Sequence, residues 1–316
     1  MSDLWRIERY DQSRRREWNE FVARSRNATF LFDRDYMDYH SDRFDDASRM
    51  AYKGNRLMAL LPANVTGDRI LHSHGGLTYG GWILPSSHLD GADLLDIFEE
   101  LCAVCRAEGL TGIDYKPLPF IYSGMPSQED EYALFRIGAS LTERNLSAAI
   151  NLRCPGGFNQ QQRRHFSKTA KMPIEVSETT DINGFMSMLA DCLRDRHDTA
   201  PVHTDREMKL LAGRFPDNIR FFVTRFEGVP HVGVCVYDTG RVAHAQYIAT
   251  TEEGRRLNLL TPLFNYLIND LFADRDYFDF GISNEDHGRY LNEGLLRQKY
   301  SYGATGVAYS RYFISL

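Results

Sequence analysis

The chain has 316 residues, enough for one large domain or two of ordinary size. Its composition, 43% hydrophobic and 25% charged, is that of a globular protein able to bury a core. A net charge of -6 gives no global attraction to nucleic acid or to an anionic membrane, and this argues against a DNA-binding protein.

The start, "MSDLWRIERYDQSRRREW", has no apolar signal-peptide core, and no run approaches the length of a membrane span. The five cysteines are odd in number and scattered, which argues against a disulfide framework. Cys102 and Cys105 form a CxxC on an amphipathic helix with no second Cys or His pair nearby, so buried thiols are expected rather than a metal site. These features together predict a cytoplasmic protein without membrane insertion or metal.

In chain order, "NRLMALLPANV" and "RILHSHGGLTYGG" read as strands, 89–109 as a helix and 111–119 as a strand with an acid at its middle. A Pro-Gly-Gly break and a polar basic helix in 153–175 suggest a boundary, giving domains 1–155 and 156–316. Helical periodicity follows over 181–197, and a Thr204/Glu207 capping box opens the next helix over 203–215. "IRFFVTRFEG" and "PHVGVCVYDTG" predict a hairpin turning at Glu227-Gly228, and 241–250 a third strand. A long helix over 252–273, the strand "YFDFGIS", a short helix around 288–299 and a last strand complete the chain. The marks His74, Tyr79, helix, Asp114 and His244, Tyr247, helix, Asp279 recur in the same order, and predict two related α/β units.

The strand-loop-helix "YFDFGIS…LRQKYSYGA", the helix "QQQRRHFSKTAK" and the opening "WNEFVARSRNATFLFDRDYMDYH" resemble the FemAB-like group of acyltransferases, and the resemblance spans nearly the whole chain. It implies two tandem GNAT-like domains, each a mainly antiparallel mixed sheet flanked by helices. It also implies acyl transfer to an amine, from acyl-CoA as in simple GNAT proteins or from aminoacyl-tRNA as in peptidoglycan-bridge enzymes. The implied acceptor is a polar small molecule or cell-envelope precursor. A non-catalytic binding protein on the same scaffold is the third reading.

The resemblance puts a pyrophosphate cradle at the start of the long helix, where backbone N–H groups and the helix dipole favour anions. Gly254, Arg255, Arg256 and Asn258 are its candidates. Asn258 and Leu260 stand where the family signature has glycine and a small residue, and asparagine tolerates the left-handed conformation. The oxyanion contact is expected from backbone N–H groups at Tyr247, Ile248 and Ala249.

Candidate chemistry falls to His244 as base, Asp279 as base or orienting group, and Tyr247. Alternation sends His244 and Gln246 to one sheet face and Tyr247 to the other. Asp279 faces opposite Phe278 and Phe280, and Gly281 allows close backbone approach. A structural Asp279, bonded to backbone or paired with Lys299, is the competing reading. Candidate acceptor contacts are Gln246, Ser283, Asn284, Lys299 and His203, together with His74, Tyr79, Lys116 and Tyr122 around a glycine-rich strand read as leaving room for a ligand between domains. The basic helix offers a grip for tRNA phosphates, or is a solvated charged face.

Overall fold

The computed structural model describes residues 4–87, 89–197 and 199–316. The chain forms two compact units. The N-terminal unit comprises 1–145, 286–289 and 308–316, and the C-terminal unit 146–285 and 290–307. The division falls upstream of the Pro155 break because strand Ser140–Asn151, for which no expectation was made, runs through it.

In the N-terminal unit, strands Trp5–Arg9, Arg49–Lys53 and Arg56–Leu61 form one antiparallel sheet. Short strands Asn64–Val65, Ile70–His72 and Gly112–Tyr115 form part of a second, joined by the end of strand Thr305–Ser315. Helix Gly91–Ala107 opens with Asp90 in a capping box and buries Leu94, Ile97, Phe98 and Leu101. Cys102 and Cys105 lie in the same core, and burial pushes the Cys105 thiol up to about 12. Strand pairing ends at His72, and the following glycine-rich stretch is a loop rather than the expected strand.

In the C-terminal unit the strand order is Ser140–Asn151, Tyr277–Ile282, Val242–Thr250, Val229–Asp238, Ile219–Phe226, Ile174–Glu178. All neighbours run antiparallel except Val242–Thr250 beside Tyr277–Ile282. The Glu227-Gly228 turn has positive φ at both residues, as a type I′ two-residue hairpin turn requires. Leu260, Leu263, Phe264 and Leu267 cover one sheet face, packing on Phe222, Val232, Val234, Val236, Ala243, Ala245, Phe278 and Phe280. Phe185 packs on Phe221, and Met208 receives the Tyr237 hydroxyl, so helices Ile182–His197 and Asp205–Arg214 take the other face.

The expected helix over 252–273 is broken. It runs as Glu252–Arg256, Leu260–Tyr266 and a wide turn, Leu267–Leu271. Asn258 adopts φ +59, and this left-handed residue produces the first break. Among the described residues no helix is long and apolar enough to cross a membrane.

Candidate active site

Strands Val242–Thr250 and Tyr277–Ile282 pair in parallel over three positions only, ending at His244 beside Asp279. Beyond this point the strands part. An antiparallel neighbour takes only alternate N–H groups of a strand, so the other set in 245–249 faces the opened side. That is where oxyanion donors were expected.

Asp279 is fully buried. Its Oδ1 accepts from Ser147 Oγ at 2.6 Å and from the Gly281 N–H at 3.0 Å. Its Oδ2 accepts from His244 Nδ1 at 2.9 Å. The carboxylate therefore sets the imidazole tautomer, with the proton on Nδ1 and the lone pair on Nε2. No partner for Nε2 occurs among the described residues, and the side chain is 13% exposed. Gly281 has φ +77, and a Cβ there would stand 3.3 Å from His244 Cε1. The glycine thus gives both the turn and the room for the ring.

Lys299 is 5% exposed, and its ammonium donates to the carbonyls of Gly281 at 2.8 Å and Ile282 at 2.6 Å. It pins the turn after Asp279 rather than pairing with the carboxylate, to which no hydrogen bond from Lys299 is seen among the described residues. Burial lowers its pKa to about 8, with the Asp279 charge opposing the shift. A lysine whose folded pKa lies below its ordinary value of 10.5 adds stability above that value, and loses it as pH falls through about 8. We therefore expect stability to rise between pH 8 and 10, and the rise to shrink in Lys299→Met, as urea melts at the two pH values would measure.

The expected alternation along Val242–Thr250 does not hold. Cys235 pairs with Tyr247 and Val236 with Ala245, so Gln246 is an extra residue in a β-bulge. A one-residue insertion reverses the faces beyond it. Ala245 and Ile248 both pack in the Leu260–Leu267 core, while Tyr247 shares the face of His244. There the Tyr247 hydroxyl meets His203 Nδ1 at 2.5 Å. His203 lies in the turn fixed by the Thr204–Glu207 capping box. The fold thus collects His244, Asp279, Tyr247 and His203 on one sheet face. Of the other acceptor candidates, Asn284 accepts from the Leu146 N–H at 2.6 Å and holds backbone. Ser283 is 2% exposed, and its N–H donates to Leu146. Ser147, which steadies Asp279, was not anticipated; it lies on the strand that the sequence reading missed.

A second cleft of about 240 Å³ lies at the broken helix, lined by Gln162, His165, Thr250, Gly254, Arg255, Asn258, Leu260 and Thr261. Arg255 donates to the Thr250 carbonyl at 2.6 Å, and Arg256 is paired with Glu253. Gly254 packs against strand Val229–Asp238, where a Cβ would stand 2.6 Å from the His231 carbonyl. Leu260 belongs to the core. In the basic helix, Gln162 accepts from Thr261 Oγ1 at 2.7 Å and donates to Ser301 at 2.8 Å.

The N-terminal unit repeats the arrangement with a different partner from the one expected. The counterpart of His244 is His72, not His74. Ile70–His72 and Gly112–Tyr115 also pair in parallel over three positions, ending at His72 beside Asp114. His72 Nδ1 lies 2.7 Å from Asp114 Oδ2. Here both ring nitrogens are engaged, since Nε2 lies 2.9 Å from Thr66 Oγ1. Arg311 grips both oxygens of Asp114. Burial pushes the Asp114 carboxyl up, but the hydrogen bonds from His72 and Arg311 outweigh it and hold it at about 2.

The glycines of 74–81 do not leave room for a ligand. A Cβ on Gly76 would stand 2.5 Å from His40 Nε2, and one on Gly80 would stand 2.1 Å from the Ser73 carbonyl oxygen. The glycines admit His40, Phe44 and the neighbouring backbone. Lys116 donates to the carbonyls of His74 at 2.9 Å and Leu77 at 2.6 Å, and burial lowers its pKa to about 8. Tyr79 and Tyr122 are buried, their rings in contact at 4.6 Å and tilted by 45°. His74 stacks on His40 at 5.2 Å, and burial pushes it down to about 3. Among the described residues no group of three or more His, Cys, Asp or Glu could hold a metal ion.

Residues 159–289 match the family model of the acetyltransferase (GNAT) domain. None of the curated proteins matches the chain. Among solved structures, the crystal structure of FemX is similar at 10% identity, covering 98% of this chain and 97% of that chain with a TM-score of 0.70. The structure of L-PGS from Bacillus licheniformis is similar at 12% identity, covering 97% and 92% with a TM-score of 0.60. A tandem GNAT protein from the clavulanic acid biosynthesis pathway is similar at 10% identity, covering 98% of each chain with a TM-score of 0.54. Residues 159–289 are therefore similar to a GNAT domain, and the chain as a whole has a tandem GNAT fold like that of FemX.

Proposed function

We propose that the protein is an N-acyltransferase moving an acyl group from acyl-CoA to the amine of a small-molecule or envelope-precursor acceptor, with its catalytic centre in the C-terminal unit. The observation that carries this reading is the His244–Asp279 pair at the point where the two parallel strands part, with Nδ1 committed and Nε2 open. His244 Nε2 takes the proton from the attacking amine, and buried Asp279 stabilises the imidazolium that forms. Backbone N–H groups of Tyr247–Ala249 receive the oxyanion. The Tyr247 hydroxyl returns a proton to the leaving thiolate as the amide forms. The donor would lie along the cleft at Thr250–Thr261, with Arg255 and Arg256 as the cations nearest its phosphates.

A second reading replaces acyl-CoA by aminoacyl-tRNA. It is favoured by the turn itself: Glu252 and Glu253 occupy the first helical positions, Arg256 is paired with Glu253, and Leu260 is in the core. Acids at that terminus repel a pyrophosphate. The two readings part in a thermal-shift assay. With acetyl-CoA at about 100 times its dissociation constant, stabilisation of roughly 2.7 kcal/mol is expected, seen as a rise of several degrees that Arg255→Ala removes. No shift with acetyl-CoA or CoA, together with retention of charged tRNA on a filter, would select the tRNA reading.

A further inference from the structure

We propose that the acceptor amine carries an apolar arm, held in a groove between helix Ile182–His197 and the segment 200–205; the assignment rests on the acyltransfer reading above. The groove has a volume of about 460 Å³, against about 240 Å³ for the cleft at the broken helix. Its walls join the apolar Met186, Ala190, Ala200 and Pro201, with His203, to a polar rim of Asn183, Ser187, Thr204 and Asp205. Val202, between the lining residues Pro201 and His203 in sequence, is 79% exposed.

His203 links the groove to the chemistry. It lines the groove, it is 8% exposed, and its Nδ1 meets the hydroxyl of Tyr247. The bulge at Gln246 sets Tyr247 on the face of His244. Their ladder partners Tyr237 and Cys235 are two positions apart, so the two side chains stand about 7 Å apart along the strand. An amine delivered to His244 Nε2 can therefore extend a chain or ring past Tyr247 and His203 into the groove. A purely polar acceptor gains nothing from Met186, Ala190 and Pro201, whereas a phenyl-sized arm gains roughly tenfold or more in affinity from the area it buries. The polar acceptor expected from the resemblance is thus narrowed to an amine with an apolar arm.

The test is calorimetric titration of the full chain with 4-phenylbutylamine and with ethanolamine. The expected result is an affinity for 4-phenylbutylamine at least tenfold higher, lost in Ala190→Trp and in Ser187→Trp, and kept in Arg255→Ala. Ser187 is on the exposed rim, so its variant tests the groove even if Ala190→Trp does not fold. Equal affinity for the two amines, or an advantage that persists when the groove is filled, overturns the inference. Binding as expected without acylation from acetyl-CoA or charged tRNA would leave a ligand groove and overturn the catalytic reading beneath it.

Discussion

His244→Ala lowers the rate of acyl transfer by about 10²–10⁴-fold, the range for removal of a general base, and His72→Ala leaves the rate per folded molecule unchanged. The two histidines occupy the same place in two copies of one arrangement, each ending a parallel ladder beside an aspartate. They differ in what is left over. Nε2 of His72 is engaged by Thr66, and Asp114 is gripped by Arg311, whereas Nε2 of His244 has no partner among the described residues. A proton acceptor must offer a lone pair to the substrate, and only His244 does. The measurement is initial rate at saturating donor across pH. Equal losses in both variants would mean that the ladder ends serve folding alone. Asp279→Asn belongs to the same experiment but costs stability as well. Its amide would turn an NH₂ toward donors from Ser147, Gly281 or His244, at about 1–3 kcal/mol for the buried group left unsatisfied.

Arg34→Ala should destabilise the N-terminal unit by about 3 kcal/mol, the lower end of the range for breaking a buried ion pair. Arg34 is 1% exposed. Its guanidinium lies 3.4 Å from the Tyr10 ring centre and 4.4 Å from that of Trp18. Its Nη2 donates to Asp46 at 2.7 Å, and Nη1 lies 3.5 Å from Asp38. Both carboxylates keep contact with water, at 35% and 23% exposure, which places the estimate at the low end. Burial lowers the Arg34 pKa, and Asp46 and Asp38 oppose that shift. Arg34→Lys should recover little, because an ammonium neither spreads over two aromatic rings nor forks to two acids. Arg34→Met should recover more, since it fills the slot without a charge. Urea melts with unchanged slope would give the three values.

Much of the scaffold was legible because its signals are local. Thr204 and Glu207 form the capping box their spacing predicts, and Glu227-Gly228 turns a hairpin. Phe278 and Phe280 enter the core while Asp279 faces away, as alternation requires. What was not legible depends on partners distant in sequence. The glycines of 74–81 are explained by His40 and Phe44. His72 rather than His74 meets Asp114 because the parallel register ends there. Ser140–Asn151 was missed because the exposed, polar residues of its first half mask the buried run Ser147–Ile150. The grouping of Tyr247 with His244 was misread for a similar reason: no residue type marks the bulge, which exists only against the Cys235–Val236 neighbour.

That bulge makes the identity of the catalytic face a matter of counting. Strand Val242–Thr250 carries one residue more than its neighbour consumes, so everything beyond Ala245 is presented with inverted parity. Substituting Gln246 changes a side chain and leaves the count intact. Deleting it removes the surplus and leaves a regular ladder in which Tyr247 still pairs with Cys235 on the site face and Ile248 with Val234 in the core. The geometry of this site is thus encoded in pairing rather than in residue number: a deletion at the bulge spares the faces, whereas a further insertion that no bulge absorbs would exchange them.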